Sequence, residues 1–484
     1  MSTSKASQIA MTDIKFSGET KSSPRVLGET VNETGENIDN EDVCFDNDAA
    51  SETSTIIYEH EPFESFQYKV AQLASYIFPG SEVNIQRMKG GSFNRVVGIT
   101  TTTGGKIKNN YKRRIRNGIQ RLFRANSDQL NTKQYVARIP RCDDDDMEKD
   151  VATLEAIRGR FRFAVPQVTK CDLSANNILQ NAYMIQPRIP GQTIKETWPT
   201  LNMKQKKSLA KRIIELSSEI ATFTSSSAGT IAARDIQDGE SSSIAISQFH
   251  VQNESPLSSP IESCLELLLR QCKRWSQYQM SSRRHCYQEI WVAYAKISKS
   301  LQARGFLEES FCFVHGDLLP HNLLIAIRDS STVEVTGVVD WDSGYFGPRF
   351  MAYRAPYWLW LTDDDDEWVE GNVNMEPKTE EDREMKAVFD EVTSQDFKRL
   401  ACSPEAILAR RMFKILKDGM FDDWTLAEAY AVINDWETLY PEDNVKAEMQ
   451  SNSSDEEDSS DEEIDEGPDV FDEENRGYLA SLFG

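Results

Sequence analysis

Nowhere in this chain do 18 apolar residues run together, so no α-helical membrane span is expected. Positive charge is also short. Against 78 Asp and Glu stand 54 Lys and Arg, giving a net charge of −24 and a pI near 4.8. Such a chain repels nucleic acid and anionic membranes as a whole, and neither is an expected partner. Paired cysteines are missing: the eight, at 44, 142, 171, 264, 272, 286, 312 and 402, contain no C-x-x-C unit. That argues for reduced thiols in an intracellular setting, cytoplasmic or nuclear. No apolar core follows Met1-Ser2-Thr3-Ser4-Lys5, so no secretory signal is expected, and the glycosylation triplet Asn32-Glu33-Thr34 reads as chance. Apolar residues are scarce at both ends. Residues 1–60 cannot bury enough surface to offset their ordering entropy and are expected to be a disordered tail. Residues 451–475 hold thirteen acids and no base. The segment 446–484 is therefore expected to be an acidic disordered tail, open to protein partners, with serines flanked by acids. The 39% of hydrophobic residues is thus concentrated between the ends, in a length sufficient for two or more domains.

What is present centres on one stretch. The apolar run Phe311–Val314 delivers His315 and Asp317 into a sharp turn, and Asn322 follows five residues after Asp317. Leu323–Ile327 reads as a strand, Asp329–Thr332 as a turn, and Val333–Val339 as the returning strand, ending at Asp340-Trp341-Asp342. That hairpin brings Asn322 and Asp340 together, with Asp317 on the loop that feeds them. Two carboxylates and an amide are hard oxygen donors and suit Mg²⁺. The spacing His315-x-Asp317-x4-Asn322 matches the H-R-D-x4-N of phosphoryl-transfer sites, with Asp340-Trp341-Asp342 where D-F-G would stand. A plain turn before a hairpin would account for a lone H-x-D-x4-N. The strand, the hairpin and the second Asp in register favour the catalytic reading.

Upstream, Phe66, Val70, Leu73, Ala74 and Ile77 recur at helical spacing until Pro79-Gly80. Strands at Val83–Met88 and Arg95–Thr100 flank Gly90-Gly91-Ser92, where backbone N–H groups could approach a phosphate unobstructed by Cβ; alone, the same residues make a hairpin turn. Tyr135–Pro140 alternates as a strand and places Arg138 where the phosphoryl-transfer pattern has a Lys on the donor phosphates. The acid on the following helix falls at Asp150, with Glu148 or Glu155 as substitutes, and a guanidinium suits a carboxylate partner. Between these strands the insertion 104–133 holds nine Lys or Arg and a single acid, Asp128. It reads as a basic amphipathic helix for an anionic partner or a nuclear address, or as a loop neutralised by the acidic tail. Leu209, Ile213, Leu216, Ile220 and Phe223 make one helical stripe. A Ser-rich insertion, 224–260, is expected to be a loop. Further helices are expected over 264–278, 287–301, 380–399, 404–418 and 425–439.

His315-Gly316-Asp317 and Asp340-Trp341-Asp342 resemble the aminoglycoside phosphotransferase and choline kinase-like family, in the form common among fungal members. Protein kinases fit less well, since no Ala-Pro-Glu follows. Gly91-Ser92-Phe93-Asn94-Arg95-Val96 is similar to that family's glycine loop, and Val165-Pro166-Gln167-Val168 to the entry into one of its strands. Ala182 through Gly191 resembles its hinge, which implies an adenine-binding backbone edge around Ile185 and Gln186. The resemblance covers about residues 65 to 440. It implies a two-lobed, protein-kinase-like α+β fold: a small lobe with an antiparallel sheet over 61–187 and a larger, mainly helical lobe over 188–445. It further implies ATP- and Mg²⁺-dependent transfer of a phosphoryl group to a hydroxyl of a small molecule. Asp317 would orient and deprotonate that hydroxyl, with His315 bracing the loop. Asn322 and Asp340 would hold metal, while Arg138 and Gly90, Gly91 and Ser92 would hold the phosphates. The alternative is a nucleotide-binding, pseudokinase-like scaffold acting through its tails and basic insertion, favoured by Arg138 and Asp150 at their positions. Nothing in the sequence marks the acceptor.

Overall fold

The computed structural model describes residues 60–88, 90, 93–103, 131–141, 147–232, 244–249, 251, 263–282, 287–361 and 370–446. The two expected tails and almost all of the basic insertion fall outside the described residues.

The chain first forms α1 (Phe63–Ile77), β1 (Glu82–Arg87), β2 (Asn94–Thr103) and β3 (Asn131–Pro140). Then come α2 (Met147–Ile157), β4 (Lys170–Asp172) and β5 (Tyr183–Pro187). Their five strands pair in the order β1-β2-β3-β5-β4, antiparallel throughout. The apolar stripe of α1 does what its spacing predicts: Phe66, Val70, Leu73 and Ala74 are buried against Val97, Ile99, Ala137, Ile139 and Ile185. Full burial of a side chain such as Val70 contributes about 1.5–3 kcal/mol. By contrast α2 belongs to the other lobe's core, where Met147, Leu154 and Ile157 pack with Phe163 and Met184. It therefore links the two lobes and holds Asp150 beside the junction.

The larger lobe continues with β6 (Gln192–Thr193), α3 (Ile194–Thr197), α4 (Met203–Ala221), β7 (Thr224–Ser225), β8 (Gly229–Ile231) and β9 (Ile246–Ser247). After these come α5 (Cys264–Ser282), α6 (Gln288–Ala303), β10 (Phe311–Val314), β11 (Leu323–Ile327), β12 (Val333–Val338) and β13 (Tyr345–Gly347). The chain closes with α7 (Arg349–Ala352), α8 (Glu380–Val392), α9 (Gln395–Cys402), α10 (Pro404–Asp418) and α11 (Asp423–Leu439). The fold is thus the expected two-lobed, kinase-like α+β arrangement. No described helix is long and apolar enough to cross a membrane.

Two expectations needed correction. The Ser-rich segment expected as a loop supplies β7, β8 and β9, which join β10 and β13 in a five-stranded sheet, β7-β10-β13-β8-β9. Strands of two or three residues are too short to show a period of two, so only their partners reveal them. The single helix expected over 380–399 is two. Thr393 leaves the helical conformation, and the Ser394 hydroxyl accepts from the Phe397 N–H at 3.1 Å, starting α9 afresh.

The catalytic-type hairpin is β11–β12, with Leu323 opposite Val338. Its turn is pinned from outside by the start of α4. Asn202 Nδ2 donates to the Ser330 carbonyl at 2.9 Å and Gln205 Nε2 to the Asp329 carbonyl at 2.8 Å. The same two side chains form the capping box of α4, so one pair of residues begins the helix and fixes the hairpin.

Candidate functional site

The turn after β10 is built around a glycine. Gly316 adopts φ 86°, and a Cβ there would lie 2.4 Å from the Ser343 carbonyl oxygen. Only glycine admits that approach and that conformation together. On either side, the buried His315 ring bridges the turn: Nε2 meets the Val339 carbonyl at 3.0 Å and Nδ1 lies 3.3 Å from the Asp317 N–H. Those partners require a neutral ring protonated at Nε2. Burial agrees, pushing the His315 pKa down to about 4. Trp341 packs 4.4 Å from this ring and stacks with Phe161, Phe163 and Phe313, while its Nε1–H donates to the Val338 carbonyl at 2.9 Å. The aromatic stack sets the floor beneath the turn.

Above that floor the predicted polar residues converge. Asn322 Nδ2 donates to the Asp317 carbonyl at 2.9 Å and to Asp317 Oδ2 at 2.7 Å. The main-chain carbonyl of Asn322 accepts the Val339 N–H at 3.0 Å, which fastens the hairpin next to Asp340. Burial raises the pKa of Asp317, but His321, His315 and the Asn322 amide outweigh it and hold the carboxyl below its ordinary value. Asp340 adopts φ 65°, a left-handed conformation that Asp tolerates better than most residues. Burial and the neighbouring Asp342 charge push its pKa up to about 6.

Arg138 is where the expectation and the structure part. Its guanidinium reaches Asp340 Oδ1 at 3.3 Å and makes a short bond to Asp342 Oδ2; Asp150, the expected partner, acts on it only through its charge. No hydrogen bond joins Asp150 to Arg138, whereas the Asp342 carboxylate accepts one. Burial disfavours the Arg138 charge, yet Asp342, Asp340 and Asp150 together raise its pKa. Burial and Asp342 push Asp150 itself up to about 8.

The remaining predicted residues are distributed as follows. Gly90 sits against the end of β2: a Cβ there would lie 2.8 Å from the Asn94 carbonyl and 2.9 Å from Arg141 Nη2. Gly91 and Ser92 lie outside the described residues. Ile185 and Gln186 are buried in β5, and the Ile185 carbonyl already accepts the Thr169 N–H at 2.8 Å. The backbone edge expected around Ile185 is thus closed at that carbonyl by the sheet.

The sequence assigned no role to three residues. Asn94 donates to Asp342 Oδ2 at 3.3 Å and ties the glycine loop to the Asp-Trp-Asp segment. His321 Nε2 lies 3.2 Å from Asp317 Oδ2. Asp342, whose role the sequence left open, accepts from both Arg138 and Asn94. The available signal was position alone: Asn94 follows the glycine loop directly, and His321 is four residues beyond Asp317.

The donor set fits Mg²⁺. The Asn322 amide N–H groups are spent on Asp317, which leaves its Oδ1 as an acceptor, and Asp340 supplies a carboxylate one residue beyond Val339, which is bonded to the Asn322 main chain. No cluster of three His, Cys, Asp or Glu that could hold a metal exists among the described residues. An amide and one or two carboxylates suit a cation that keeps oxygen ligands from phosphates and water.

A family model described as "Phosphotransferase enzyme family" matches residues 114–384. No curated protein matches. Among solved structures, the chain is similar to a thermostable mutant of aminoglycoside phosphotransferase APH(4)-Ia in ternary complex with ADP and hygromycin B. The identity is 15%, coverage is 76% of this chain and 98% of that one, and the TM-score is 0.41. It is also similar to a mutant of aminoglycoside 2'-phosphotransferase-IIIa in complex with GDP, at 14% identity, 78% and 99% coverage and a TM-score of 0.38. Likenesses this distant carry nothing about substrate.

Proposed function

Because the chain belongs to the phosphotransferase enzyme family, matched over residues 114–384, we propose that it transfers the γ-phosphoryl group of ATP to a hydroxyl of a small molecule, with Mg²⁺. The observation that carries this reading is that Asn322 bonds Asp317 while Arg138 bonds Asp340 and Asp342, and that the two pairs are joined along the hairpin where the Val339 N–H, next to Asp340, donates to the Asn322 main-chain carbonyl.

Asp317 is the acceptor's partner. Its carboxyl, held low by His321, His315 and Asn322 against the effect of burial, is ionised at neutral pH and ready to accept a proton. It takes the hydroxyl proton, the alkoxide oxygen forms a bond to the γ-phosphorus, and the bond from that phosphorus to the β-phosphate oxygen breaks with its electron pair leaving on ADP. His315 keeps the loop in place through its bonds to the Val339 carbonyl and the Asp317 N–H. Asn322 and Asp340 would hold Mg²⁺, with Asp342 beside them; when bound, the ion supplies neutralisation of donor phosphate charge. Arg138 is the positive group on β3 for the same phosphates. Most of the rate enhancement in such a site comes from positioning and charge stabilisation.

Two isosteric substitutions test this division of labour. Asp317→Asn should lower transfer by about 10²–10⁴ while leaving Mg·ATP affinity within a few-fold, since a positioned base is worth that much. Asp340→Asn should instead weaken Mg·ATP binding, measured by calorimetry with and without EDTA. Equal loss of nucleotide affinity in both variants would overturn the assignment. Nucleotide binding without turnover of any hydroxyl acceptor would favour the scaffold reading.

A further inference from the structure

Two histidines hold Asp317, and they hold different parts of it. His315 takes the main chain, with Nδ1 3.3 Å from the Asp317 N–H. His321 takes the side chain, with Nε2 3.2 Å from Oδ2. The same Oδ2 accepts from Asn322 Nδ2 at 2.7 Å. Among the described residues, Oδ1 accepts no hydrogen bond. One carboxylate thus has one oxygen engaged twice and the other not at all. An ionised carboxylate only accepts, so the hydrogen between the two groups is on His321 Nε2, whatever Nδ1 carries.

The local sequence builds this placement. Leu319-Pro320-His321-Asn322 is a turn in which the Asn322 N–H donates to the Leu319 carbonyl at 3.0 Å. Proline at its second position presets the backbone φ there. From outside, the Lys195 N–H donates to the Pro320 carbonyl at 3.2 Å, and β11 begins directly after Asn322. His321 therefore projects from a turn tied at both ends. Its side chain is 41% exposed and that of Asp317 36%, so both reach solvent. A surface histidine that merely decorates a turn would account for a contact with an aspartate. It would not account for both donors converging on one oxygen of the residue assigned as base.

We propose that His321 is a positioning residue for phosphoryl transfer: with Asn322 it pins Oδ2, and Oδ1 is the atom that takes the acceptor's hydroxyl proton. This inference rests on the phosphotransferase reading. The last torsion of an aspartate is broad, and a single donor lets the carboxylate rock about it. A second donor on the same oxygen narrows that motion and keeps the lone pairs of Oδ1 aimed one way, which matters because small errors of placement cost rate heavily. As Oδ1 takes the proton, the O–H electron pair stays on the acceptor oxygen. That oxygen bonds to the γ-phosphorus while the bond to the β-phosphate oxygen breaks toward ADP. Oδ2 remains an acceptor throughout, so neither of its hydrogen bonds is lost during the step. His321 itself carries no proton.

The test uses the full-length protein with Mg·ATP and water, then glycerol, glucose or serine, as acceptor. ADP formation gives kcat and the KM for Mg·ATP. His321→Leu should lower kcat about tenfold, the order expected for one lost hydrogen bond, and leave the KM for Mg·ATP within about twofold. His321→Gln sets an Nε2 donor the same number of bonds from Cα, cannot relay a proton, and should restore most of the rate. His321→Asn, one bond shorter, should not. In an Asp317→Asn background, followed over hours with radiolabelled ATP, His321→Leu should cost nothing further, because it acts through the carboxylate. The side chain is partly exposed, so these variants fold, which matching melting temperatures would show. An unchanged kcat in His321→Leu, a loss that falls on KM instead, His321→Gln no better than His321→Leu, or an equal loss in the Asp317→Asn background would overturn the proposal and leave the phosphotransferase reading standing. Binding of Mg·ATP with no ADP formed from any acceptor would overturn both.

Discussion

Arg138 and Arg410 are both buried arginines with acidic partners, and they are arranged to opposite ends. Arg410 has one carboxylate and three backbone carbonyls, a set that takes four of its five N–H groups and joins α7, α9 and α10. Arg138 faces two carboxylates, Asp340 and Asp342, while Asp150 adds a third negative charge nearby. The first arrangement has one carboxylate for one guanidinium and no surplus negative charge. The second has surplus negative charge, and two of its carboxyls, Asp340 and Asp150, are pushed above their ordinary values. A pair built for stability closes its hydrogen bonds, while a pair built for chemistry keeps capacity for something that is to come.

The sharpest way to break this contrast is to remove each guanidinium. Arg410→Met leaves Glu370 buried without its closest partner and three carbonyls unpaired, and should cost about 3–5 kcal/mol in urea unfolding. A loss below about 1 kcal/mol would show that Arg410 is not structural in the sense argued. Arg138→Met should reverse the balance. Its unfolding free energy should move by no more than roughly 1–2 kcal/mol, whereas phosphoryl transfer should fall by about 10²–10³ for want of a preorganised positive group. Parallel losses in the two variants would erase the distinction.

Asp150 sharpens the comparison through pH. Burial, followed by the Asp342 charge, raises its folded-state pKa to about 8 from a reference of 3.8. The folded protein therefore holds this proton more tightly than the unfolded chain. Its favourable contribution is complete below the unfolded value and is lost as pH rises to about 8. Urea titrations in EDTA should show stability declining over that window, and Asp150→Asn should flatten the decline; an unchanged slope would refute the surplus-charge account. The smallest effect is expected at Asn94. Asn94→Ala removes one hydrogen bond to Asp342 and should cost about 0.5–1.5 kcal/mol, with a several-fold drop in transfer and no change in the stability conferred by Arg410.

Much of this was legible in the residues, and for identifiable reasons. The stripe from Phe66 to Ala74 and the run Phe311–Val314 carry their period or their apolarity on their face, so α1 and β10 could be read directly. The site hairpin was legible because its parts are close in sequence and its turn, Asp329–Thr332, is chemically distinctive. The partner of Arg138 was not, because the choice between Asp150 and Asp342 depends on how far a short side chain must reach across two packed lobes. The strands inside the Ser-rich segment were missed for want of length.

The sequence separations within the site have a consequence for the order in which it is made. The acceptor side, Asp317 with Asn322 and His315 with Val339, closes over spans of 5 and 24 residues. The contacts of Arg138 and Asn94 with Asp342 close over 204 and 248. Loop-closure entropy grows with span, and local contacts form first. A refolding chain therefore brings Asp340 and Asp342 side by side before any guanidinium faces them. Their repulsion is a debt carried until the small lobe arrives, and its relief by Arg138 makes docking of the two lobes partly an electrostatic event, one that added salt would slow.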